Sequence, residues 1–273
     1  MIEESSRGEK YVAAIEEVLV NPSFLDQRVT IGGGLSETCR EQLKCLLKDN
    51  MGVFAWEPSD MTCMPRRIIE HTLNVNPSMD LVCQNRRTFS MEKSRVVTNE
   101  VAEWVRAGIV RPVSLPKRLL FASKHRLQSR VGDGIQYKCF LDAYKGYHQI
   151  QMAEEDEEKM AFYTDQRMYC YTKMHFELKN VGAIYQRLVD STFQSQIGRN
   201  LEAYVDDMVV KSKDEKMLLA NIAKTFDNLK KINMKLNPKK CSFRVEEGKF
   251  LGYMVTSEGI RANPKKIKAL ADL

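Results

Sequence analysis

Two short segments of β-forming residues, 201–204 and 208–211, stand on either side of Val205-Asp206-Asp207. So short a spacer leaves room only for a tight reversal, so the pair reads as a β-hairpin with two acids at its tip. A second acid-ended strand lies upstream, where Cys139-Phe140-Leu141 runs into Asp142. An Asp-Asp pair alone is ordinary turn composition. Set between apolar strands, with another strand-terminal Asp upstream, it points to chemistry. If the two elements are neighbours in one sheet, the chain between them is long enough for a β-α-β crossover that brings the acids together. Carboxylates a few ångströms apart raise one another's pKa, which makes such a cluster costly without a cation. Three of them suit two Mg2+ ions about 3.5–4 Å apart. Oxygen donors favour Mg2+, with Mn2+ as the alternative.

The rest of the chain supplies a scaffold of mixed type. Gly32-Gly33-Gly34 reads as a turn before a helix that Ser36 caps, with Leu43, Leu46 and Leu47 on one face. It lacks the Lys-Ser/Thr of a P-loop and the spacing of a dinucleotide fingerprint. Residues 57–90 read as an extended connection. Ser90 then opens a helix with Val97, Val101, Trp104 and Val105 at three- and four-residue steps, closed near Gly108. Pro112 and Pro116 exclude a further helix there. Residues 117–136 are basic and weakly patterned. Strands are expected over 137–143, 148–152, 160–163 and 168–174, and a helix over 182–197. Ser212-Lys213-Asp214-Glu215 has the form of a capping box for a helix to about Ile232, with Leu218, Ile222, Phe226 and Leu229 inward. A hairpin joining 241–245 to 249–255 follows. Interleaved strands, hairpins and helices make the class α+β.

Composition sets the outer limits. Hydrophobic residues are 43% of the chain, enough for a core, so wholesale disorder is excluded. No apolar run reaches the roughly 18 residues of a bilayer span, and the acidic N-terminus has no secretory pattern. No membrane partner and an intracellular setting, cytoplasmic or nuclear, are therefore expected. The seven cysteines are odd in number and contain no C-x-x-C pair, the pattern of reduced thiols. The net charge of +6 is unevenly spread, at −5 over residues 1–65, +8 over 66–145, −3 over 146–205 and +6 over 206–273. Basic blocks suit a polyanion, although ordinary solvated faces look the same on charge alone.

The ordered motifs then carry a resemblance. Phe140-Leu141-Asp142-Ala143-Tyr144-Lys145-Gly146-Tyr147-His148-Gln149-Ile150, Leu178-Lys179-Asn180, Tyr185-Gln186-Arg187, Tyr204-Val205-Asp206-Asp207, Leu236-Asn237-Pro238-Lys239-Lys240-Cys241 and Phe250-Leu251-Gly252-Tyr253 follow in this order. Together they resemble the reverse transcriptase of gypsy-type long-terminal-repeat retrotransposons, particularly the plant forms. Residues 29–77 resemble the polyprotein segment that precedes that polymerase. The resemblance implies a right-hand polymerase palm with a ferredoxin-like β-α-β sheet. It implies a linker segment over 1–65, a residual fingers region over 66–136, and a palm over 137–273. By the same resemblance Asp142, Asp206 and Asp207 hold two metal ions and catalyse deoxynucleotide transfer to a primer 3′-hydroxyl. Tyr147, Phe176 and Lys240 fall at the nucleotide, with Tyr147 as the gate against a 2′-hydroxyl. Tyr204 and the Phe250, Leu251, Gly252, Tyr253 hairpin fall at the primer and template, and Lys235 and Lys239 near backbone phosphates. The implied partners are an RNA or DNA template with primer and deoxynucleoside triphosphates. Motifs of protease, ribonuclease H and integrase regions are absent from this chain.

Two departures from the family pattern bear on activity. Leu119-Leu120-Phe121-Ala122-Ser123-Lys124 runs almost directly into Arg126-Leu127 and Lys138-Cys139-Phe140, as though a basic fingers hairpin were deleted. Arg126, Arg130 and Lys138 are the cations left to replace it. Met174-His175-Phe176-Glu177-Leu178 has Glu177 where the family has Gly, which sets a negative charge near a triphosphate. These departures imply an impaired polymerase, with a non-catalytic remnant that retains nucleic-acid binding as the alternative. A nucleotidyl cyclase is a third option, on fold alone.

Overall fold

The computed structural model describes residues 15–75, 90–113, 137–256, 259–262 and 264. In chain order the elements are β1 (Glu16–Val18), β2 (Val29–Ile31), α1 (Glu37–Asp49), β3 (Glu70–His71), α2 (Met91–Arg106), β4 (Val110–Val113), β5 (Tyr137–Asp142), β6 (Gln151–Met152), α3 (Glu154–Glu157), β7 (Ala161–Tyr163), β8 (Met168–Tyr171), α4 (Val181–Thr192), β9 (Leu201–Tyr204), β10 (Asp207–Ser212), α5 (Glu215–Ile232), β11 (Ser242–Val245), β12 (Gly248–Phe250), β13 (Tyr253–Thr256) and β14 (Gly259–Ala262).

Six strands form the central sheet in the order β1-β2-β11-β5-β10-β9. β10 lies antiparallel between β5 and β9, so β5 and β9, joined through α4, run parallel without touching. β11, reached through α5, pairs antiparallel with β5 on its other side. These two split β-α-β units form the ferredoxin-like arrangement. The expected crossover is present, but it joins β5 to β9, and the strand that ends beside Asp142 arrives by the hairpin.

Why β5 carries the unbroken apolar run Cys139-Phe140-Leu141 follows from its position. Cys139 and Leu141 point into one core with Met208, Val210 and Phe243, shared with α1, α4 and α5. Phe140 points to the opposite face, with Val209, Val245, Phe250 and Val255. A strand buried on both faces loses the polar alternation of a half-buried one. In β11 the two faces are reached by residues of the same parity, Phe243 and Val245. The register shift between Ser242 and Val245, with Arg244 at φ +52°, makes this possible.

The second core, under α2, gathers Met61, Val101, Ala107, Ile109 and Val110 beside the sheet β4-β8-β7. Ser90 caps α2 by accepting from the Lys93 N–H, and Gly108 lies just beyond its end at φ +58°.

Several local expectations are corrected. Residues 146–149 form a 3-10 turn, and only Gln151–Met152 is strand. Lys145 at φ +46° reverses the chain, and the Gln149 amide then donates to Tyr144 O and Lys235 O at 2.8 Å each. The helix expected over 182–197 ends at Thr192, and the helix after it is not capped by a box at Ser212. Asp214 caps α5 through the Met217 N–H at 2.8 Å, while the Glu215 carboxylate accepts from Ser36 N and Oγ. Residues 241–245 do not pair with 249–255. β11 joins the central sheet, and β12 turns back on β13. Lys138, one of the cations expected to replace the fingers hairpin, is buried, with Nζ donating to Thr256 O at 3.3 Å. Arg126, Arg130, Cys83 and the apparent gap lie outside the described residues. No helix among those residues is long and apolar enough to cross a membrane.

Candidate active site

The acids meet at one end of the central sheet. In the β5–β10 register Asp207 stands directly opposite Asp142, and Asp206 occupies the turn before β10. The turn is fastened to β5 by Ala143 N–H, which donates to Asp206 O at 2.9 Å. Gly146 passes close by, where a Cβ would come within 2.8 Å of Tyr185 Oη and 3.2 Å of Asp206 Cβ. Only a residue without a side chain fits there.

Two of the carboxylates, however, have partners of their own. Asp142 Oδ2 accepts from Lys240 Nζ at 3.1 Å, and Asp207 Oδ2 accepts from the Leu251 N–H at 3.1 Å. Asp142 Oδ1 is buried with no hydrogen-bond partner. Among the described residues no group of three or more His, Cys, Asp or Glu side chains is gathered closely enough to hold a metal ion. The backbone thus brings the three acids together, but the carboxyls themselves do not converge. Like charges repel, and Asp142 and Asp207 each rest on a nearby donor. Burial, then the Asp206 charge, pushes Asp207 up to about 6. Burial also raises Asp142, against the partial opposition of Lys240. An orphaned carboxylate oxygen beside a second strained acid is chemistry that a hard divalent cation would satisfy.

A cleft of about 800 Å³ opens beside the turn. Tyr147, Phe176, Tyr204, Asp206, Asp207 and Leu251 line it, and Asp142 and Lys240 do not. Tyr147 packs edge-on against the fully buried Tyr185, with ring centroids 5.6 Å apart. Burial and the Asp206 charge raise its pKa. Phe176 is 66% exposed, an open apolar wall. Glu177 is exposed too, but it is not among the cleft-lining side chains.

The hairpin of β12 and β13 adds Leu251 to the lining of the cleft. Leu251 and Gly252 form its two-residue turn at φ +53° and +77°, the geometry of a primed turn. Phe250 is buried beneath it and Tyr253 is 52% exposed. Gly248 lets β12 lie on the Phe140 ring, where a Cβ would come within 2.3 Å of Cδ2. Among the lysines, Lys235 Nζ donates to Gly52 O at 2.6 Å and Lys239 pairs with Asp26 at 3.1 Å.

Three contacts escape sequence reasoning: Lys240 with Asp142, Leu251 with Asp207, and Gln186 with the turn. Gln186 Oε1 accepts from the Val205 N–H at 2.9 Å. Its place in Tyr185-Gln186-Arg187, within an ordered set of motifs, was the one available signal.

The pattern of the family "Reverse transcriptase (RNA-dependent DNA polymerase)" matches residues 85–255. The Pol polyprotein of transposon opus from Drosophila melanogaster is 38% identical over 138 residues, 50% of this chain and 14% of that protein. The Pol polyprotein of transposon gypsy from the same organism is 31% identical over 159 residues, 58% of this chain and 15% of that protein. This chain therefore spans about one-seventh of these relatives' length. The foamy viral protease-reverse transcriptase in complex with RNA/DNA hybrid superposes with a TM-score of 0.72 at 17% identity, covering 88% of this chain and 36% of that one. A second form of it, in complex with double-stranded DNA, gives 0.72 at 13% identity, covering 99% and 51%. At such identities the likeness is one of fold.

Proposed function

Because the chain belongs to the reverse transcriptase (RNA-dependent DNA polymerase) family, as found in gypsy-type retrotransposon Pol polyproteins, we propose that it carries a polymerase site that extends a primer on an RNA or DNA template. The observation that carries this reading is the register of β5 and β10, which sets Asp207 opposite Asp142 with Asp206 in the adjoining turn. Asp142, Asp206 and Asp207 would hold Mg2+ or Mn2+. Bound there, the ions would supply the charge that activates a primer 3′-hydroxyl and neutralises a phosphoryl group in transfer.

The chain's own residues do the rest. Tyr147, on the cleft wall beside Asp206, would exclude a 2′-hydroxyl by contact, and the exposed ring of Phe176 would bear on the base or sugar. Lys240, already on Asp142, would exchange that carboxylate for triphosphate oxygens. Tyr204 and the Phe250–Tyr253 turn, tied to Asp207 through the Leu251 N–H, would seat the primer end. The relatives also support a template-primer partner, since the structural neighbours were solved with RNA/DNA hybrid and double-stranded DNA. We further read the plant-like motifs and the short connection between Lys124 and Lys138 as marks of a plant element with a shortened fingers region. The corresponding segment of an intact sister copy tests that reading.

Primer extension on a homopolymer template with Mg2+ or Mn2+ tests the activity. Asp206→Asn should lower the rate by at least about 100-fold, the scale set by loss of one group that stabilises developing charge. No product from the unaltered chain, or an unchanged rate in the variant, rejects the assignment.

A further inference from the structure

The turn that carries Asp206 is built on a residue in an unfavourable conformation. Val205 sits at φ +54°. A β-branched side chain avoids this region, because its Cβ crowds the neighbouring carbonyl. Such a conformation persists only where the surroundings over-determine it. On the helix side, what holds it is one side-chain amide. Gln186, on α4, accepts the Val205 N–H at Oε1 and donates from Nε2 to Ala203 O at 3.3 Å, so it bonds the chain on both sides of the Tyr204 link.

The same Nε2 donates to Asp190 Oδ1 at 2.9 Å, one helical turn further along α4. These partners admit one orientation of the amide. Flipped, it would set Nε2 against the Val205 N–H and Oε1 against two acceptors, Ala203 O and the Asp190 carboxylate. Asp190 and Ala203 therefore select the rotamer that presents an acceptor to Val205. The Tyr204–Val205 peptide is then pinned from α4 on one side of Val205. On the other, Ala143 N–H holds Asp206 O at 2.9 Å.

We infer that Gln186, oriented by Asp190, is a positioning residue that holds the strained Val205 turn by its N–H and so aims the Asp206 carboxylate into the cleft. This inference rests on the polymerase reading only for its kinetic arm.

The test compares Gln186→Met, which keeps length and shape but loses both polar ends, with Asp190→Ala and the conservative Asp190→Asn, which keeps an acceptor. Amide hydrogen exchange, read residue by residue on the full chain, reports the clamp directly. Gln186→Met is expected to speed exchange at Val205 by about tenfold while core amides of α5 stay unchanged. Asp190→Ala should show the same pattern about threefold, and Asp190→Asn should match the unaltered protein. In primer extension, Gln186→Met should lower kcat by about tenfold, a misplacement effect, with the nucleotide KM within about twofold. Wild-type exchange at Val205 in Gln186→Met overturns the inference. So does equal acceleration throughout α5, which would mark general loosening, and so does a fall in affinity in place of kcat. If the unaltered chain extends no primer, the polymerase reading fails, while the exchange arm still decides the clamp.

Discussion

Asp207 is raised to about 6 from an ordinary 3.8, chiefly because β10 carries it into a half-buried position beside Asp206. The consequence for stability has a definite sign. Between about pH 4 and 6 the folded chain binds this proton more tightly than the unfolded chain, so stability falls as pH rises through that window. Asp207→Asn cannot ionise. In chelator it should melt at a higher temperature than the unaltered protein at pH 7–8, and the gap should close towards pH 4. Calorimetry across that range checks it, and a gap of constant size contradicts the assigned burial. That Asp207 falls at this hairpin was legible in the sequence, but the turn takes only Val205 and Asp206, and Asp207 is the first residue of β10 where the sequence leaves it in the reversal. Its hydrogen bond from Leu251 was not legible, because that partner is brought in by a hairpin far along the chain.

At the scale of elements, legibility tracks how local the deciding interaction is. α5 was readable because Leu218, Ile222, Phe226 and Leu229 repeat at helical spacing, and all four are fully buried. Its cap was misread because two acids compete for one end. Asp214 takes the Met217 N–H, which leaves Glu215 free for Ser36, the N-cap of α1. β11 was paired with the wrong strand because nearness in sequence favours a hairpin, whereas burial of Phe243 in the main core favours the sheet. Phe226 makes this packing measurable. Its ring meets Phe54 edge-on at 5.9 Å and Phe243 at 6.2 Å, with no exposure to solvent. Phe226→Ala should cost about 3–5 kcal/mol in urea unfolding. Met217→Ala, on the exposed side of the same helix, should stay within about 0.5 kcal/mol.

At the scale of the whole molecule, the β9–β10 hairpin was legible in the residues and the ferredoxin-like sheet in the resemblance, whereas the pairing of β2 with β11 was in neither, because those two strands are far apart in the chain. The largest consequence concerns residues 16–56. β1 and β2 extend the same sheet that carries Asp142 and Asp207, with β2 parallel to β11. Val29, Ile31, Leu43, Leu47, Phe54 and Trp56 lie in the same core as Leu141 and Phe226. The seam runs through Gly32, whose N–H donates to Phe243 O at 2.8 Å. A Cβ at Gly32 would lie 2.0 Å from Arg244 O, a backbone atom held in a bulge. A core continuous across this seam should unfold as one unit, with the N-terminal strands melting together with β5 and β10. Gly32→Ala must push β2 away from β11, at a cost of about 1–3 kcal/mol for overpacking. Both proteins should show a single thermal transition, with the variant's displaced to lower temperature. An early transition confined to residues 16–56, resolved by hydrogen exchange, would mean that this segment rides on the polymerase sheet and is not part of its fold.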